Sequence, residues 1–262
     1  MWLQILAGWL WLGAVGAGLV ALQGWAGAWA WAAVPVAAVG FGYGIAYLHL
    51  FLHEAAHFGL APDRAWNDRL ANLAVGWLVG QEVGRYRAVH FDHHRRLGTP
   101  EDTEHSYFDP LDARFVVEAL LGIKLLRVLG ERSRHGGAGP GSLLHPFFLL
   151  AIAFHAIQVA WLWSVGSWPL LLAWLAGLGS VFPLLAALRQ LLEHRSAERG
   201  DGPARVRTAA VSRLFGAGPV GSTFGGAGFN RHLLHHWEPQ VPCTRLADLE
   251  RFLLETEAGD WL

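Results

Sequence analysis

The side chains in this sequence that are best suited to chemistry are histidines, which recur in three short groups. His90, His93 and His94 lie close together, and in a helix this spacing places all three imidazoles on one face, as half of a metal site. His53 and His57, one helical turn apart, precede them. A group with the same spacing as the central one follows: His232, His235 and His236. Neutral imidazole is a good ligand for divalent iron, copper, zinc and nickel, so the groups predict a metal site.

The number of these histidines predicts two ions, because one ion takes about four to six ligands. A structural zinc site has about four ligands and is closed, whereas histidines shared between two ions leave positions for water or dioxygen. An isolated pair such as His53 and His57 is more often a packing pair, so the prediction requires all three groups to meet in space. The one cysteine, Cys243, excludes a cysteine-based zinc or iron–sulfur site.

The composition is typical of a membrane protein. Of 262 residues, 53% are hydrophobic and only 16% are charged, against about a quarter charged in soluble domains. The 14 tryptophans suit the interface between bilayer and water. The net charge of −1 gives no indication of a nucleic-acid partner.

Two blocks without a charged residue, 1–52 and 142–188, each contain two apolar runs separated by a short connection. Each run reaches the roughly 20 residues that cross about 30 Å of hydrocarbon. The sequence therefore predicts an all-α integral membrane protein, with four transmembrane helices in two hairpins and one domain covering residues 1–262. The spans are expected at about 1–22, 28–52, 142–165 and 168–188.

All 20 lysines and arginines lie outside the charge-free blocks, in residues 53–141 and 189–262. Cytoplasmic segments of membrane proteins carry the excess of basic residues, so both segments are expected on the cytoplasmic side. There they form a helical cap in this interpretation, and the cap carries all three histidine groups on one side of the membrane.

Weaker patterns predict further elements in the cap. Residues 67–79 are apolar but too short to span a membrane, which favours a re-entrant or interfacial helix. Residues 111–129 mix charges with Phe, Val, Leu and Ile and predict one amphipathic helix at the membrane surface. Residues 203–213 predict a basic helix, the glycine-rich stretch 216–228 predicts a loop, and 245–255 predicts a short surface helix.

The histidine groups and their surroundings resemble a known family. The segments HEAAH, HFDHH and HLLHH, in this order around two charge-free hairpins, resemble the histidine boxes of the membrane fatty acid desaturase and hydroxylase superfamily. His93 to Asp102 resembles the bacterial continuation of the second box, and Asn230 to Leu246 resembles the third box with its tail. Arg189 to His194 resembles the Arg…Glu-His segment that follows the fourth span.

This resemblance implies a non-haem centre of two iron ions that activates O2 and removes hydrogen from an unactivated C–H bond. Zinc can substitute for iron in such a site, because it competes well for imidazole. The family's metal ligands carry over to nine histidines, one of them outside the boxes: His53, His57, His90, His93, His94, His194, His232, His235 and His236.

Polar residues beside the boxes are expected to orient these ligands. A carboxylate that accepts the second ring N–H of a ligand histidine fixes its tautomer and direction; the alternative is a solvated or helix-capping role. Gln190 lies one turn before His194, where some family members have a water-bridging asparagine, and Asn230 is expected to orient the third box or cap its helix. His49 is expected to line the site. The candidate carboxylates are Glu54, Asp92, Asp102 and Glu193.

The function predicted first is desaturation or hydroxylation of a lipid-like substrate that enters from the bilayer. A carotenoid-type hydroxylase or ketolase shares the box architecture and is the alternative enzyme. No fused cytochrome b5, ferredoxin or flavin domain is recognised, so electrons are expected from a separate carrier of the ferredoxin, rubredoxin or cytochrome b5 type. A non-catalytic metal-binding or metal-transporting membrane protein is the candidate of another class. The expected location is a bacterial inner membrane, with the metal site on the cytoplasmic side.

Overall fold

A computed structural model describes residues 1–102, 104–135, 145–194, 204–216, 218–257 and 259. Within these residues every regular element is a helix, and the strand-like pairing is limited to an isolated antiparallel bridge between His194 and Ser212. The all-α prediction is therefore confirmed for this part of the chain.

The helices follow one another with short connections. In chain order they are α1 (Trp2–Ala26), α2 (Val34–Ala56), α3 (Arg64–Ala71), α4 (Trp77–Val79), α5 (Val83–Arg96), α6 (Ala113–Leu120), α7 (Ile123–His135), α8 (Pro146–Ser164), α9 (Trp168–Ala176), α10 (Phe182–Glu193), α11 (Ala204–Val211), α12 (Pro219–Phe224), α13 (His232–Trp237) and α14 (Leu246–Leu254). Tighter 3-10 turns lie at Gly27–Ala33, His105–Phe108, Gly226–Arg231 and Cys243–Arg245, and wider π turns at Asn72–Gly76 and Gly177–Val181.

The first two helices form an antiparallel hairpin. α1 ends where Gly27 takes a φ of 56°, a left-handed conformation that favours glycine. A Cβ added at Gly8 would lie 2.7 Å from Leu48 Cδ2, and one at Gly44 would lie 2.5 Å from Leu12 Cδ2. Glycines therefore let the two backbones approach closely, as small residues do between membrane helices.

A second long helical run, α9 to α10, packs against this hairpin. Its π turn comes directly before Pro183, whose missing N–H and bulky ring disfavour a regular α-helix at that point. A Cβ added at Gly177 would lie 2.6 Å from Phe41 Cβ, and one at Gly42 would lie 2.5 Å from Val181 Cβ. The largest buried apolar cluster of the described residues lies here, between α1, α2, α9 and α10.

Three helical stretches are long and apolar enough to cross a membrane: Trp2–Ala56, Pro146–Ser164 and Trp168–Glu193. The first has 55 residues and includes both arms of the hairpin. Compared with the predicted spans, α1 continues past residue 22, and α2 begins after residue 28 and continues past residue 52. The predicted start of the third span, 142–144, lies outside the described residues.

Several predictions for the cap need correction. The single amphipathic helix expected at 111–129 is two helices, α6 and α7, because Gly122 takes a left-handed φ of 69° between them. The loop expected at 216–228 contains α12 and the start of a 3-10 turn, with residue 217 outside the described part. Residues 67–79 are helical, as expected, but with a π turn between α3 and α4. The predicted helices at 203–213 and 245–255 correspond to α11 and α14, although residue 203 lies outside the described part.

Candidate metal centre

Nine histidines that are far apart in the sequence lie together at the ends of α2 and α10, on α5 and on α13. They form two groups, and within each group the candidate ligand atoms lie within 4.8 Å of one another. The first group has five members: His53, His57, His90, His94 and His235. The second group has four members: His93, His194, His232 and His236. The fold therefore brings together all nine histidines named from the sequence.

Helical spacing divides the boxes between the two groups. Residues four apart lie above one another on a helix, and each histidine pair with this spacing stays within one group. In the second box, His93 belongs to the second group, whereas the other two histidines belong to the first. In the third box, His235 belongs to the first group, whereas the other two belong to the second. α5 and α13 therefore each contribute to both groups, whereas the sequence predicted that the three-histidine face of α5 acts as one half-site.

The distances between ring nitrogens suit a metal ion in each group. Nε2 of His90 lies 2.8 Å from Nε2 of His57 and 3.0 Å from Nε2 of His94. In the second group, Nε2 of His232 lies 3.2 Å from Nε2 of His194. Two imidazole nitrogens bound at about 2.1 Å and at about a right angle lie about 3.0 Å apart. These nitrogens therefore have the spacing of neighbouring ligands on one ion.

Several of the ring nitrogens are buried without a hydrogen-bond partner among the described residues. Both nitrogens of His53, both of His235 and Nδ1 of His90 are in this condition. An unpaired buried polar atom costs about 1–3 kcal/mol, so the cluster is destabilising without a ligand. Burial, assisted by the charge of Arg87, lowers the pKa of His57 to about 4, so this ring is neutral at pH 7 and its lone pair is available. The donor set therefore fits divalent metal ions.

Asp102 makes the carboxylate–histidine contact predicted for it. It accepts the ring N–H of His93 at 2.8 Å, the hydroxyl of Tyr107 at 2.6 Å and the backbone N–H of Glu104 at 2.9 Å. Burial alone would lower the pKa of His93, but the charge and hydrogen bond of Asp102 raise it above the ordinary value. With its proton held on Nδ1 by this carboxylate, His93 keeps Nε2 as the lone pair for a ligand.

Glu193 lies beside the second group but shares its charge with an arginine. Its Oε1 is 3.6 Å from Nδ1 of His232 and 2.7 Å from Nε of Arg189. The next residue, His194, leaves α10 in an extended conformation and forms the isolated bridge with Ser212, whose hydroxyl lies 3.5 Å from its Nδ1. This bridge fixes the one candidate ligand that lies outside the boxes.

Two of the predicted orienting carboxylates contact other groups. Glu54 accepts the backbone N–H of Cys243 at 3.2 Å and so joins the end of α2 to the segment after α13. Asp92 forms ion pairs with Arg95 and Arg96 on its own helix. Asp92 lies one or two positions from each histidine of its box, and such positions point away from the histidine face of a helix.

The remaining predicted polar residues also differ in their contacts. Oδ1 of Asn230 accepts from Nη1 of Arg231 at 3.2 Å, and Arg231 rather than Asn230 occupies the N-cap position of α13. Gln190 lines a cavity beside the histidines. His49 lines the same cavity, as expected, and its Nε2 lies 3.0 Å from Oε1 of Gln81.

Arg87 fixes the end of α2, and sequence reasoning missed it. Its Nε donates to the carbonyl of Ala56 at 2.7 Å, its Nη2 to that of Ala55 at 3.0 Å, and its Nη1 to Asp68 at 2.9 Å. Nδ2 of Asn67 also donates to the Ala55 carbonyl, at 2.9 Å. These donors satisfy carbonyls that a helix end leaves unpaired, and they join α2 to α3 and α5 beside the first histidine pair.

Aromatic rings around the histidines were missed as well. The ring of Tyr86 stacks on that of His90 at 5.4 Å, and the ring of Phe229 lies 4.9 Å from that of His53. Tyr86 lies one turn before His90, so helical spacing is a signal that identifies it. Phe229 and Tyr107 reach the site through turns, and no periodic pattern marks them.

A cavity of about 400 Å³ adjoins both histidine groups. His53 and His90 of the first group and His232 of the second contribute to its wall, and most of the remaining wall is apolar. Polar side chains in the wall include Gln190 and Lys124. A volume of this size accommodates a small organic ligand next to the histidines.

Comparison with known proteins yields a family that fits this geometry. The sequence model of the family described as fatty acid desaturase matches residues 28–260 of the chain, a range that includes all nine histidines. A search of curated proteins found no match.

Proposed function

This chain belongs to the fatty acid desaturase family, and we propose that it is an O2-dependent di-iron enzyme that desaturates or hydroxylates an unactivated C–H position. Family membership implies an oxidoreductase that works in a membrane on a lipid-like substrate. The observation that carries the finer proposal is the pair of adjacent histidine groups beside one cavity.

In this proposal each histidine group holds one iron ion. When bound, the irons would supply the redox chemistry by which O2 oxidises the substrate. The histidines hold the ions without adding negative charge, and Asp102 keeps the proton of His93 on Nδ1. Glu193, paired with Arg189, lies beside the ring of His232, and Gln190 offers an amide to water or substrate in the cavity. Zinc is the expected substitute when iron is scarce.

The proposed membrane arrangement has four spans in one domain, residues 1–262. Each arm of the α1–α2 hairpin crosses the bilayer, and α8 and α9–α10 form the second hairpin. At about 1.5 Å per residue, α1 and α2 are each long enough for about 30 Å of hydrocarbon. The two segments that contain all the lysines and arginines then form a cap on the cytoplasmic side of a bacterial inner membrane, and the metal site lies in that cap.

The substrate in this proposal is a lipid-like molecule whose reactive carbon enters the cavity beside the histidines. The mainly apolar wall supports this, and a carotenoid-type substrate for hydroxylation or ketolation is the second candidate. A separate ferredoxin, rubredoxin or cytochrome b5 type carrier supplies the electrons and docks on the cap.

Metal analysis and O2 uptake test this proposal together. Protein purified from iron-supplied cells is expected to contain about two irons per chain and to consume O2 only with a reductant, a carrier and membrane lipid extract. Mass spectrometry of the extract then identifies the product that has lost two hydrogens or gained one oxygen. The contrary result is a protein that binds metal but consumes no O2 with any of the three carrier types, and that moves metal into liposomes. This result would favour the metal-transport class.

A further inference from the structure

A second cavity lies within the apolar part of the molecule, away from the metal centre. It has a volume of about 300 Å³, is open to the molecular surface on one side and is lined by residues of α1, α2, α4, α8 and α9. Its wall is largely aromatic, with Trp9, Trp77, Phe154 and Trp174, and contains none of the nine histidines. No charged side chain of the described residues contributes to the wall.

Two polar atoms of this wall are buried without a hydrogen-bond partner among the described residues: the indole Nε1 of Trp174 and the amide Oε1 of Gln158. Trp174 is only 6% exposed. Its neighbours in the wall differ, because Trp9 donates to the carbonyl of Ala74 at 2.9 Å and Trp77 to that of Leu73 at 2.7 Å. An unsatisfied polar group in a hydrocarbon environment is costly, since no bulk water can replace the missing partner.

A third unpaired atom belongs to His155, which contacts Trp174 but does not itself line the cavity. Nε2 of His155 lies 2.9 Å from the carbonyl of Leu78 and donates to it, which leaves Nδ1 as an acceptor with no partner in the described part of the chain. The ring of His155 lies 5.8 Å from that of Trp174, and His155 is one turn before Gln158 on α8. Within the wall itself, the unpaired polar atoms belong to Gln158 and Trp174, and the rest of the lining is mainly apolar.

We propose that this cavity binds an apolar lipid that carries a hydroxyl group, such as a long-chain or isoprenoid alcohol. A hydroxyl carries both an acceptor for Nε1 of Trp174 and a donor for Oε1 of Gln158. A ketone, an ether or a carboxylate lacks the donor, and a charged headgroup finds no counter-charge in the wall. The hydrocarbon part then contacts the aromatic rings. This site is separate from the reaction site, and its occupancy does not depend on bound metal.

Glycines on α1 leave the space that the hydrocarbon needs. A Cβ added at Gly16 would meet only Phe41 at 3.7 Å and Leu170 at 3.9 Å, which are ordinary contacts. A larger side chain at this position therefore extends into the cavity without disturbing the backbone. Gly18, on another side of α1, is exposed, has no neighbour within 4 Å of an added Cβ and does not line the cavity.

Photolabelling in phosphatidylcholine nanodiscs tests the site. The probe is hexadecanol with a diazirine on its chain, and the comparison probe is its methyl ether. We expect saturable labelling of peptides from α8 and α9 by the alcohol, and about five-fold weaker binding of the ether. Gly16→Leu is expected to weaken binding by about ten-fold, whereas the matched variant Gly18→Leu leaves it unchanged.

Trp174→Phe and Gln158→Leu keep the size of the wall residue and remove one hydrogen-bonding atom each. Each is expected to weaken alcohol binding by about five-fold and to leave ether binding less affected. Equal labelling by alcohol and ether, or labelling that does not saturate, would overturn the proposal and indicate annular lipid only. If Gly16→Leu does not fold, unchanged alcohol binding in Trp174→Phe and Gln158→Leu is the result that overturns it.

Discussion

At the scale of single residues, neighbouring histidines in one box have different roles. His93 and His94 are adjacent in the chain, yet they belong to different groups, because a helix turns by about 100° per residue. The box spacing alone predicted a shared face. The assignment to two groups required the positions of the other helices, which the sequence does not contain.

Substitution of one histidine in each group is expected to remove one ion. His93→Ala and His235→Ala should each lower the metal content from about two ions per chain to about one, and both should abolish turnover. Metal content is measured by mass spectrometry on purified protein that still inserts in membranes. His49→Ala is the control for metal content, since His49 lines the cavity but belongs to neither group. Retained turnover in both alanine variants would contradict a shared site.

Asp102 was identified from its place in the motif, and its second partner, Tyr107, was not. Asp102→Asn is expected to weaken metal binding by about 10- to 100-fold, because a neutral amide no longer fixes the His93 tautomer. Tyr107→Phe removes one hydrogen bond from the same carboxylate and is expected to have a smaller effect. Competition with a chelator of known affinity measures both. Wild-type affinity in Asp102→Asn would show that the His93 ring is oriented by other contacts.

At the scale of elements, the helices were predicted well and the connections poorly. Apolar runs and histidine spacing identify α2 and α5 because these signals lie within one segment. The break at Gly122 and the helix α12 depend on packing with distant residues, so their sequence patterns suggested one helix and one loop instead. The end of α2 also depends on other elements. Arg87 of α5 and Asn67 of α3 donate to its last carbonyls, and Asp68 of α3 pairs with Arg87.

The clamp at the end of α2 is expected to set both stability and metal binding. Arg87→Ala removes the side-chain donor to the Ala56 carbonyl and one of the two donors to the Ala55 carbonyl, and it is expected to lower the melting temperature by about 4–8 °C, which corresponds to about 2 kcal/mol. Metal content should fall as well, because His53 and His57 follow the position of this helix end. Scanning calorimetry in nanodiscs and metal analysis measure the two effects. Unchanged metal content with lowered stability would separate the clamp from the site.

The same clamp predicts a pH dependence. The hydrogen bond from Arg87 lowers the pKa of Asp68 below its ordinary value of 3.8. A lowered pKa in the folded state means that the carboxylate stabilises the fold above pH 3.8 and that this contribution is lost as the pH falls through the folded value. Asp68→Asn is expected to flatten the loss of stability below about pH 4, compared with wild type. Equal acid sensitivity of variant and wild type would show that other groups dominate.

At the scale of the whole molecule, packing of the two long helical units depends on glycine. Gly177 meets Phe41 so closely that an added methyl group is overpacked, whereas Gly179, in the same π turn, has no neighbour within 4 Å of an added Cβ. Gly177→Ala is expected to destabilise the protein by about 1–3 kcal/mol, and Gly179→Ala to be neutral or slightly stabilising. The stability of the two variants is compared by heating each protein and measuring the folded fraction that remains by size-exclusion chromatography. Equal stability of the two variants would show that the helices can shift apart at no cost.

The order of the histidines along the chain constrains how the protein is made. The first group includes His235, and the second includes His232 and His236. The other members of both groups lie earlier in the chain and are translated first. Neither histidine group has all its members until the third box has been translated. Under the proposed function, a nascent or truncated chain that ends before the third box keeps four histidines of the first group but only two of the second, so the second ion has no complete site.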